Sequence, residues 1–168
     1  SGNDRINEIL RSIGPDAAPP GSELWITDIS WTEKATDDHL RNLAAQGVAL
    51  RWFDHHRTAL KRYAAGEINV PFTDHVVSEE VSAARLVYEH IEQQLAAAGQ
   101  RNPNFAAFTP VVALADDNDR WIHALPGSRE LALTIRAMGA DPDSLEGYHA
   151  LLDIDTAVTY TPAMHAAY

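Results

Sequence analysis

The stretch Val48-Ala49-Leu50-Arg51-Trp52-Phe53-Asp54-His55-His56 decides the fold of this 168-residue chain. Its first six residues are typical of a buried strand, and an aspartate and two histidines follow where that strand ends. An earlier strand candidate, Leu24-Trp25-Ile26-Thr27, ends in the same way at Asp28. One helix-length segment separates the two, so we expect a parallel pair joined by a right-handed crossover. Both acidic ends then lie at the carboxyl edge of the sheet, where ligands bind in open α/β sheets.

Helical patterns surround these two strands. They predict helices at residues 2–13, from about 31 to 47, at 58–63, 79–98 and 111–115, from 128 to 139, from 141 onward and at the C-terminal end. Ser30 and Glu33 form a capping-box pattern, Asp155 is expected to cap the last helix, and Ile68–Phe72 is expected to form a short edge strand. This order predicts an α/β fold in which a small parallel sheet is flanked by helices and the C-terminal half is rich in helix.

Composition limits the classes of function. The chain is 45% hydrophobic and 22% charged, as in ordinary soluble globular proteins. It contains no cysteine, so any metal site must use histidine and carboxylate ligands. The net charge of −11 argues against a duplex nucleic acid as partner. With no membrane-length apolar run and no signal-peptide pattern, we expect no membrane partner and a cytoplasmic location.

Carboxylates and imidazoles gather at the predicted loop starts. The positions that share this chemistry are Asp28, Asp54, the cluster Asp116/Asp117/Asp119, His55 and His56. Such ligands suit Mn²⁺, Fe²⁺, Zn²⁺ or Co²⁺ better than Ca²⁺, and two ions about 3.5–4 Å apart can activate water at a phosphoryl centre. The alternatives are that Asp28 is a helix cap, that residues 116–119 form a solvated turn and that the histidines bind backbone.

Four stretches together resemble the DHH phosphoesterase superfamily, over roughly residues 22–140. They are Trp25-Ile26-Thr27-Asp28-Ile29-Ser30, Trp52-Phe53-Asp54-His55-His56-Arg57-Thr58-Ala59-Leu60, Ser82-Ala83-Ala84-Arg85-Leu86-Val87-Tyr88-Glu89 and Val112-Ala113-Leu114-Ala115-Asp116-Asp117-Asn118-Asp119-Arg120-Trp121. The first is similar to the second motif of the family, the next to its Asp-His-His motif and the last to its fourth motif. The Arg-Thr-Ala after the histidines and the Arg-Trp after Asp119 resemble the phosphodiesterase and oligoribonuclease branch.

The resemblance implies a role for each matching residue. The implied metal ligands are Asp28, which would bridge two ions, His55 and Asp119, with Asp116 or Asp117 as alternatives to Asp119. The implied catalytic residues are His56, which would face the substrate phosphate, and Asp54, which would orient the histidines. The implied substrate-binding residues are His56, Arg57 and Arg85, and for Arg85 a solvated helix face is the alternative.

What the resemblance implies for function is hydrolysis of a phosphodiester or phosphoanhydride by a two-metal mechanism. The expected cofactor is Mn²⁺, as two ions in the complete site, with Mg²⁺ or Co²⁺ as alternatives. The expected substrate is a small phosphorylated molecule, such as a short single-stranded oligonucleotide or a cyclic nucleotide. A homodimer is compatible with the sequence, which does not decide the oligomeric state.

The chain also departs from the family pattern. The first motif, a histidine and two aspartates on the first strand, and the small C-terminal domain with its Gly-Gly-His motif have no counterpart here. Residues 1–140 therefore resemble a phosphoesterase domain without its first strand–helix unit, and residues 141–168 a helical C-terminal segment or linker. Activity is expected of the parent protein, and whether this chain is active by itself stays open. The alternative function is a non-catalytic nucleotide- or protein-binding module with a degenerate metal site.

Tryptophans complete the list of expectations. Trp25, Trp31, Trp52 and Trp121 are expected in or near the core. For Trp121, which follows Asp119 closely, a surface that stacks on nucleobases is the alternative.

Overall fold

The computed structural model describes residues 4–139, 149–150 and 152–167. The chain divides into two compact units, Ser1–Val87 and Tyr88–Tyr168. The first unit contains the sheet, and the second is helical in its described part. The domain boundary predicted near residue 140 and the helix predicted from Asp141 fall outside the described residues, so both stay predictions.

The first unit is built on three parallel strands. They are β1, Glu23–Thr27, β2, Ala49–Asp54, and β3, Asp74–Val77, in the order β1-β2-β3. Thr27 lies opposite Phe53, and Asp54 lies opposite Val77, so the strands end together at one edge. This confirms the predicted α/β class with a small parallel sheet.

Three helices accompany the strands in the first unit. They are α1, Asp4–Ser12, α2, Lys34–Ala45, and α3, Arg57–Ala64. The second begins at Lys34, later than the predicted residue 31, and its N-cap Glu33 makes no side-chain cap. The capping-box prediction was wrong because the Ser30 hydroxyl donates to Asp54 instead.

The third strand also differs from expectation. Ile68 and Val70 are buried, as their hydrophobicity predicted, but residues 68–72 are not a strand. Pro71 has no N–H to donate to a ladder, and the Phe72 N–H turns back to the Val70 carbonyl at 3.0 Å. The strand therefore starts later, at Asp74.

Large aromatic side chains fill the core of the first unit. Trp31 and Trp52 are fully buried with ring centroids 5.5 Å apart, and Phe72 lies 5.3 Å from Trp52. Trp25 is half-buried and stacks on Phe53 at 5.6 Å. The expectation of core or near-core packing is confirmed for these three tryptophans.

Helices dominate the rest of the chain. They are α4, Ala83–Ala97, which starts in the first unit, α5, Pro103–Ala106, α6, Thr109–Asp119, α7, Ser128–Met138, and α8, Pro162–Ala167. The α4 helix begins at Ala83 rather than 79, after residues 79–80 form a turn. A small core in the second unit joins Leu131, Ala150, Ile154 and Met164.

The helix predicted at 111–115 is present and longer, Thr109–Asp119, so the alternative of a solvated turn at 116–119 is wrong. A second local prediction, the cap of the last helix, was wrong. Asp155 does not cap the last helix, because its carboxylate accepts from the N–H groups of Ala157 and Thr159. The Thr161 hydroxyl accepts from the Met164 N–H at 3.2 Å at the start of α8.

Among the described residues, no helix has the length and apolar character needed to cross a membrane.

Candidate metal centre

The ends of β1 and β2 bring the first site residues together. Asp28 follows β1 directly, and its N–H donates to the Phe53 carbonyl at 2.9 Å. Its backbone has a φ of 62°, a left-handed conformation that aspartate tolerates better than most residues. His55 and His56 follow β2, and His56 is the N-cap of α3. The carboxyl edge of the sheet therefore carries an aspartate and two imidazoles, as the strand pattern predicted.

Asp28, His55 and His56 form a close group of potential metal ligands. One ligand atom from each lies within 4.8 Å of the others. The His55 Nε2 is 3.1 Å from Asp28 Oδ1, and the His56 Nδ1 is 4.0 Å from the same oxygen. The side chains of Asp28 and His56 are 54% and 53% exposed, whereas that of His55 is 14% exposed. The group is thus anchored on one side and open to solvent on the other.

Asp54 lies beneath this group and is fully buried. One carboxylate oxygen accepts from the His56 N–H at 2.9 Å and lies 2.7 Å from His56 Nδ1. The other oxygen accepts from the Ser30 hydroxyl. An ionised carboxylate can only accept, so His56 carries its proton on Nδ1 in this contact. Asp54 therefore holds the imidazole of His56 in one orientation, with its Nε2 left as the other functional atom.

The arrangement of Asp28 and His55 fits a divalent cation. Bonds of about 2.1 Å at right angles place two donor atoms about 3.0 Å apart, close to the 3.1 Å between Asp28 Oδ1 and His55 Nε2. The same distance suits an N–H···O hydrogen bond when no ion is bound. A carboxylate with imidazole is a donor set for Mn²⁺, Fe²⁺, Co²⁺ or Zn²⁺.

A small cleft of about 80 Å³ opens beside the group. The residues that line it are Asp28, Ile29, Ser30, Thr32, Asp54, His56, Thr58, Ala59 and Arg62. The sequence analysis did not single out Ser30 or Arg62 as site residues. Ser30 was interpreted as a helix cap, although its place two residues after Asp28 could have assigned it to the site. Arg62 lies four residues after Thr58 and three after Ala59 in α3, a spacing that places the three side chains on one face of the helix.

The two other predicted substrate contacts are at the surface of the first unit. Arg57 is at the first position of α3 and its Nε donates to Glu79 at 2.9 Å. Arg85 is exposed on α4. Neither residue lines the cleft beside Asp28, and their roles toward a substrate stay predictions.

The three aspartates that resemble the fourth motif, Asp116, Asp117 and Asp119, belong to the second unit. Asp119 is half-buried at the end of α6 and lines a different cleft, described below. Asp116 is buried, with Oδ2 3.7 Å from an Arg120 guanidinium nitrogen. Asp117 is buried and anchors the loop that follows α6. Its carboxylate accepts from the Ala124 and Leu125 N–H groups, at 2.9 and 3.2 Å, and from the Ser128 hydroxyl.

These contacts suit Asp117 to a structural role. Its carboxylate oxygens already accept three hydrogen bonds, which leaves little capacity for a metal ion. Asp119 stays the predicted ligand of the three.

We expect Asp117 to stabilise the second unit in a pH-dependent way. The Ser128 hydroxyl, helped by the two backbone N–H groups, lowers the pKa of Asp117 below its usual value of 3.8. A carboxyl group with a lowered folded-state pKa adds stability above its unfolded pKa and loses it as the pH falls through the folded value. Asp117→Asn should therefore lower the unfolding midpoint in urea at neutral pH, and the difference from wild type should shrink well below pH 3.8.

The control for this prediction is Asp153→Asn, at an exposed carboxylate of the same unit. It should leave the urea unfolding midpoint unchanged, both at neutral pH and well below pH 3.8. A difference for Asp117→Asn that stays constant over the whole pH range would contradict the role of the ionised carboxylate.

In comparisons with protein-family models, curated proteins and solved structures, no match to the chain was found. The resemblance to the DHH phosphoesterases therefore rests on the motifs themselves.

Proposed function

We propose that the first unit holds a divalent cation for the hydrolysis of a phosphodiester or phosphoanhydride in a small phosphorylated substrate. The observation that carries this proposal is the group of Asp28, His55 and His56 at the carboxyl edge of a parallel sheet. The motif order that resembles the DHH phosphoesterases supports the same chemistry and favours Mn²⁺.

In this proposal, Asp28 and His55 hold the cation. Asp28 has the more exposed side chain of the two, so its open face leaves room for a substrate oxygen. A bound divalent cation would polarise the phosphoryl group and lower the pKa of a coordinated water. The role of Asp119 as a further ligand comes from the resemblance and stays a prediction.

His56 contributes a positioned imidazole. The His56 Nδ1–H donates to Asp54, which leaves Nε2, when it is protonated, to donate to a phosphoryl oxygen or to a departing oxygen. An imidazole that faces a developing negative charge stabilises the transition state more than the substrate. The small cleft beside it accommodates a group of phosphate size better than a large ligand.

A second function is favoured by one observation. The described group offers at most three ligand atoms, and the proposal uses His56 for the phosphoryl group, whereas two ions normally need more protein ligands than that. The small number of ligand atoms favours a binding module, which would hold a metal ion and a phosphorylated ligand without turnover.

Mn²⁺ binding and phosphodiester hydrolysis test the proposal together. We expect the chain to bind Mn²⁺, as followed by the electron paramagnetic resonance signal of the free ion, and His55→Ala to weaken binding at least tenfold. The matched control is His39→Ala, since His39 lies in the same unit and binds the Ile13 carbonyl. Loss of Mn²⁺ affinity in the control alone, or no Mn²⁺ binding by the wild type, would contradict the metal centre.

Turnover separates the two functions. A chromogenic phosphodiester should be hydrolysed only with added Mn²⁺, and the rate should fall in His55→Ala but not in His39→Ala. Metal binding without hydrolysis would replace the hydrolase by the binding module.

A further inference from the structure

A second cleft lies wholly within the second unit, at the junction of α6 and α7. Its volume is about 330 Å³, within the range of small-molecule sites. The residues that line it are Asn118, Asp119, Trp121, His123, Arg129, Ala132, Leu133 and Arg136. It thus combines an aromatic wall, a carboxylate and two guanidinium groups.

Trp121 is the unusual member of this lining. Its side chain was expected in the core, but the residue is 81% exposed. Its ring stacks on that of His123, with centroids 5.5 Å apart and planes 30° apart. A large aromatic surface that faces water is costly for a folded domain, and its indole face is available for a planar ligand.

The loop that carries Trp121 is held in a strained conformation. Trp121 and His123 both have a positive φ, 56° and 53°, in a region that side chains other than glycine seldom adopt. The Asp117 carbonyl accepts from the Ile122 N–H at 3.0 Å, and its carboxylate holds the residues that follow. Strain that the surrounding structure maintains is a feature of binding sites, and here it presents the indole on a fixed platform.

Positive charge is concentrated on the α7 side of the cleft. Arg129 and Arg136 are seven residues apart, about two helical turns, so they lie on the same face with Leu133 between them. Within the described part of the chain, neither guanidinium has an ion pair. In a chain with a net charge of −11, these two arginines favour an anionic ligand, and guanidinium groups match phosphate geometry.

We propose that this cleft binds a nucleoside monophosphate. The base stacks on Trp121, and Arg129 with Arg136 binds the phosphate. The Asp119 carboxylate accepts from a ribose hydroxyl, as acidic residues do in nucleotide sites. His123 contributes to the cleft through its ring, which stacks on Trp121, because its Nε2 is buried and has no hydrogen-bond partner among the described residues. This site needs no metal ion, and it shares one residue with the proposed hydrolase, since the resemblance makes Asp119 a further metal ligand there.

Calorimetry with AMP in the presence of EDTA tests the proposal. We expect the chain to bind AMP and to bind adenosine and inorganic phosphate at least tenfold more weakly, because each probe lacks part of the recognised chemistry. Trp121→Ala should weaken AMP binding about tenfold or more, whereas Trp121→Phe keeps a stacking face and should retain most of the affinity. Arg136→Gln should also weaken AMP binding, and the difference in affinity between this variant and the wild type should diminish at high salt.

The matched control is Arg101→Gln, at an exposed arginine of the same unit that lines a separate groove. It should leave AMP affinity unchanged. The indole N–H signals in nitrogen-edited NMR spectra provide a second measurement. The signal that is missing in Trp121→Phe belongs to Trp121, and AMP should shift that signal in the wild type.

Three results would overturn the proposal. One is the absence of AMP binding by the wild type. Another is AMP binding that Trp121→Ala leaves unchanged and His56→Ala abolishes, which would place the ligand at the first unit. The third is a dimer in light scattering that Trp121→Ala converts to a monomer without any effect of AMP, which would make this face a contact between copies. None of these results depends on whether the first unit hydrolyses phosphodiesters.

Discussion

Replacing Asp28 by asparagine should reduce Mn²⁺ affinity by about a hundredfold or more and remove Mn²⁺-dependent phosphodiesterase activity. The change deletes the negative charge that the carboxylate shares with the cation and leaves only a weak carbonyl ligand. Loss of a group that only orients a ligand already costs about 10–100-fold in affinity, so a direct ligand should cost more. Titration with Mn²⁺, followed by the free-ion resonance signal, measures the effect even if the chain alone has no turnover.

Asparagine is the appropriate replacement because it also tolerates the left-handed backbone that Asp28 adopts. The fold should therefore survive, with an unchanged circular dichroism spectrum. Asp16→Asn is the matched control, since Asp16 is an exposed carboxylate of the same unit in the turn before β1. If Asp28→Asn binds Mn²⁺ as tightly as the wild type and Asp16→Asn, the ion is not held at this group.

Replacing Trp31 by alanine should destabilise the first unit by about 3–5 kcal/mol, the usual cost of truncating a buried tryptophan. Trp31 is fully buried against Trp52 and Phe72, so the change leaves a large cavity at the centre of the core. Its Nε1–H also donates to the buried Asp37, which would lose that partner. Urea unfolding, followed by near-ultraviolet circular dichroism, measures the loss.

The comparison for Trp31 is Trp25→Ala. Trp25 is half-buried and stacks on one face of Phe53, so its loss should cost less than half as much. Equal effects of the two changes, or a loss below about 1 kcal/mol for Trp31→Ala, would contradict the role assigned to Trp31 in the core.

Hydrogen bonds connect the core around Trp31 with the candidate site. The Trp31 carbonyl accepts from the Arg62 guanidinium, which lines the cleft beside Asp28. The Trp52 Nε1–H donates to the Ile29 carbonyl at 3.3 Å, next to Asp28. The core therefore supports the backbone on which the candidate ligands stand.

Much of the first unit could be predicted from local patterns. The apolar runs before Asp28 and Asp54 identify two strands, and the helix-length segment between them requires a parallel pair. The position of the third strand could not be predicted in this way, because Ile68 and Val70 are buried without joining the ladder. Hydrophobicity predicts which residues are buried. Whether a buried residue joins the strand ladder depends here on Pro71, which has no N–H to donate, and on the local turn at Phe72.

The polar contacts were less predictable than the strands. Ser30 has the spacing of a capping box, yet its hydroxyl donates to Asp54, 24 residues later in the chain. A hydroxyl can satisfy either partner, and the sheet brings the carboxylate within reach. The same holds for Asp117, whose carboxylate accepts from a loop and a helix start instead of facing a ligand.

The sequence by itself determined the sheet edge and the residue types on it, because parallel strands joined by a helix must end on the same side. It also identified Asp28 and His55 as residues to be tested for metal binding, together with Asp119, and His56 as the residue to be tested against the phosphate. Only the tertiary structure decided that Asp54 is buried beneath His56 and that Trp121 faces water. It also decided that the Asp117 carboxylate accepts hydrogen bonds from the loop after its own helix. Those outcomes depend on which distant groups compete for each hydrogen bond and each packing contact, and a local pattern carries no information about that competition.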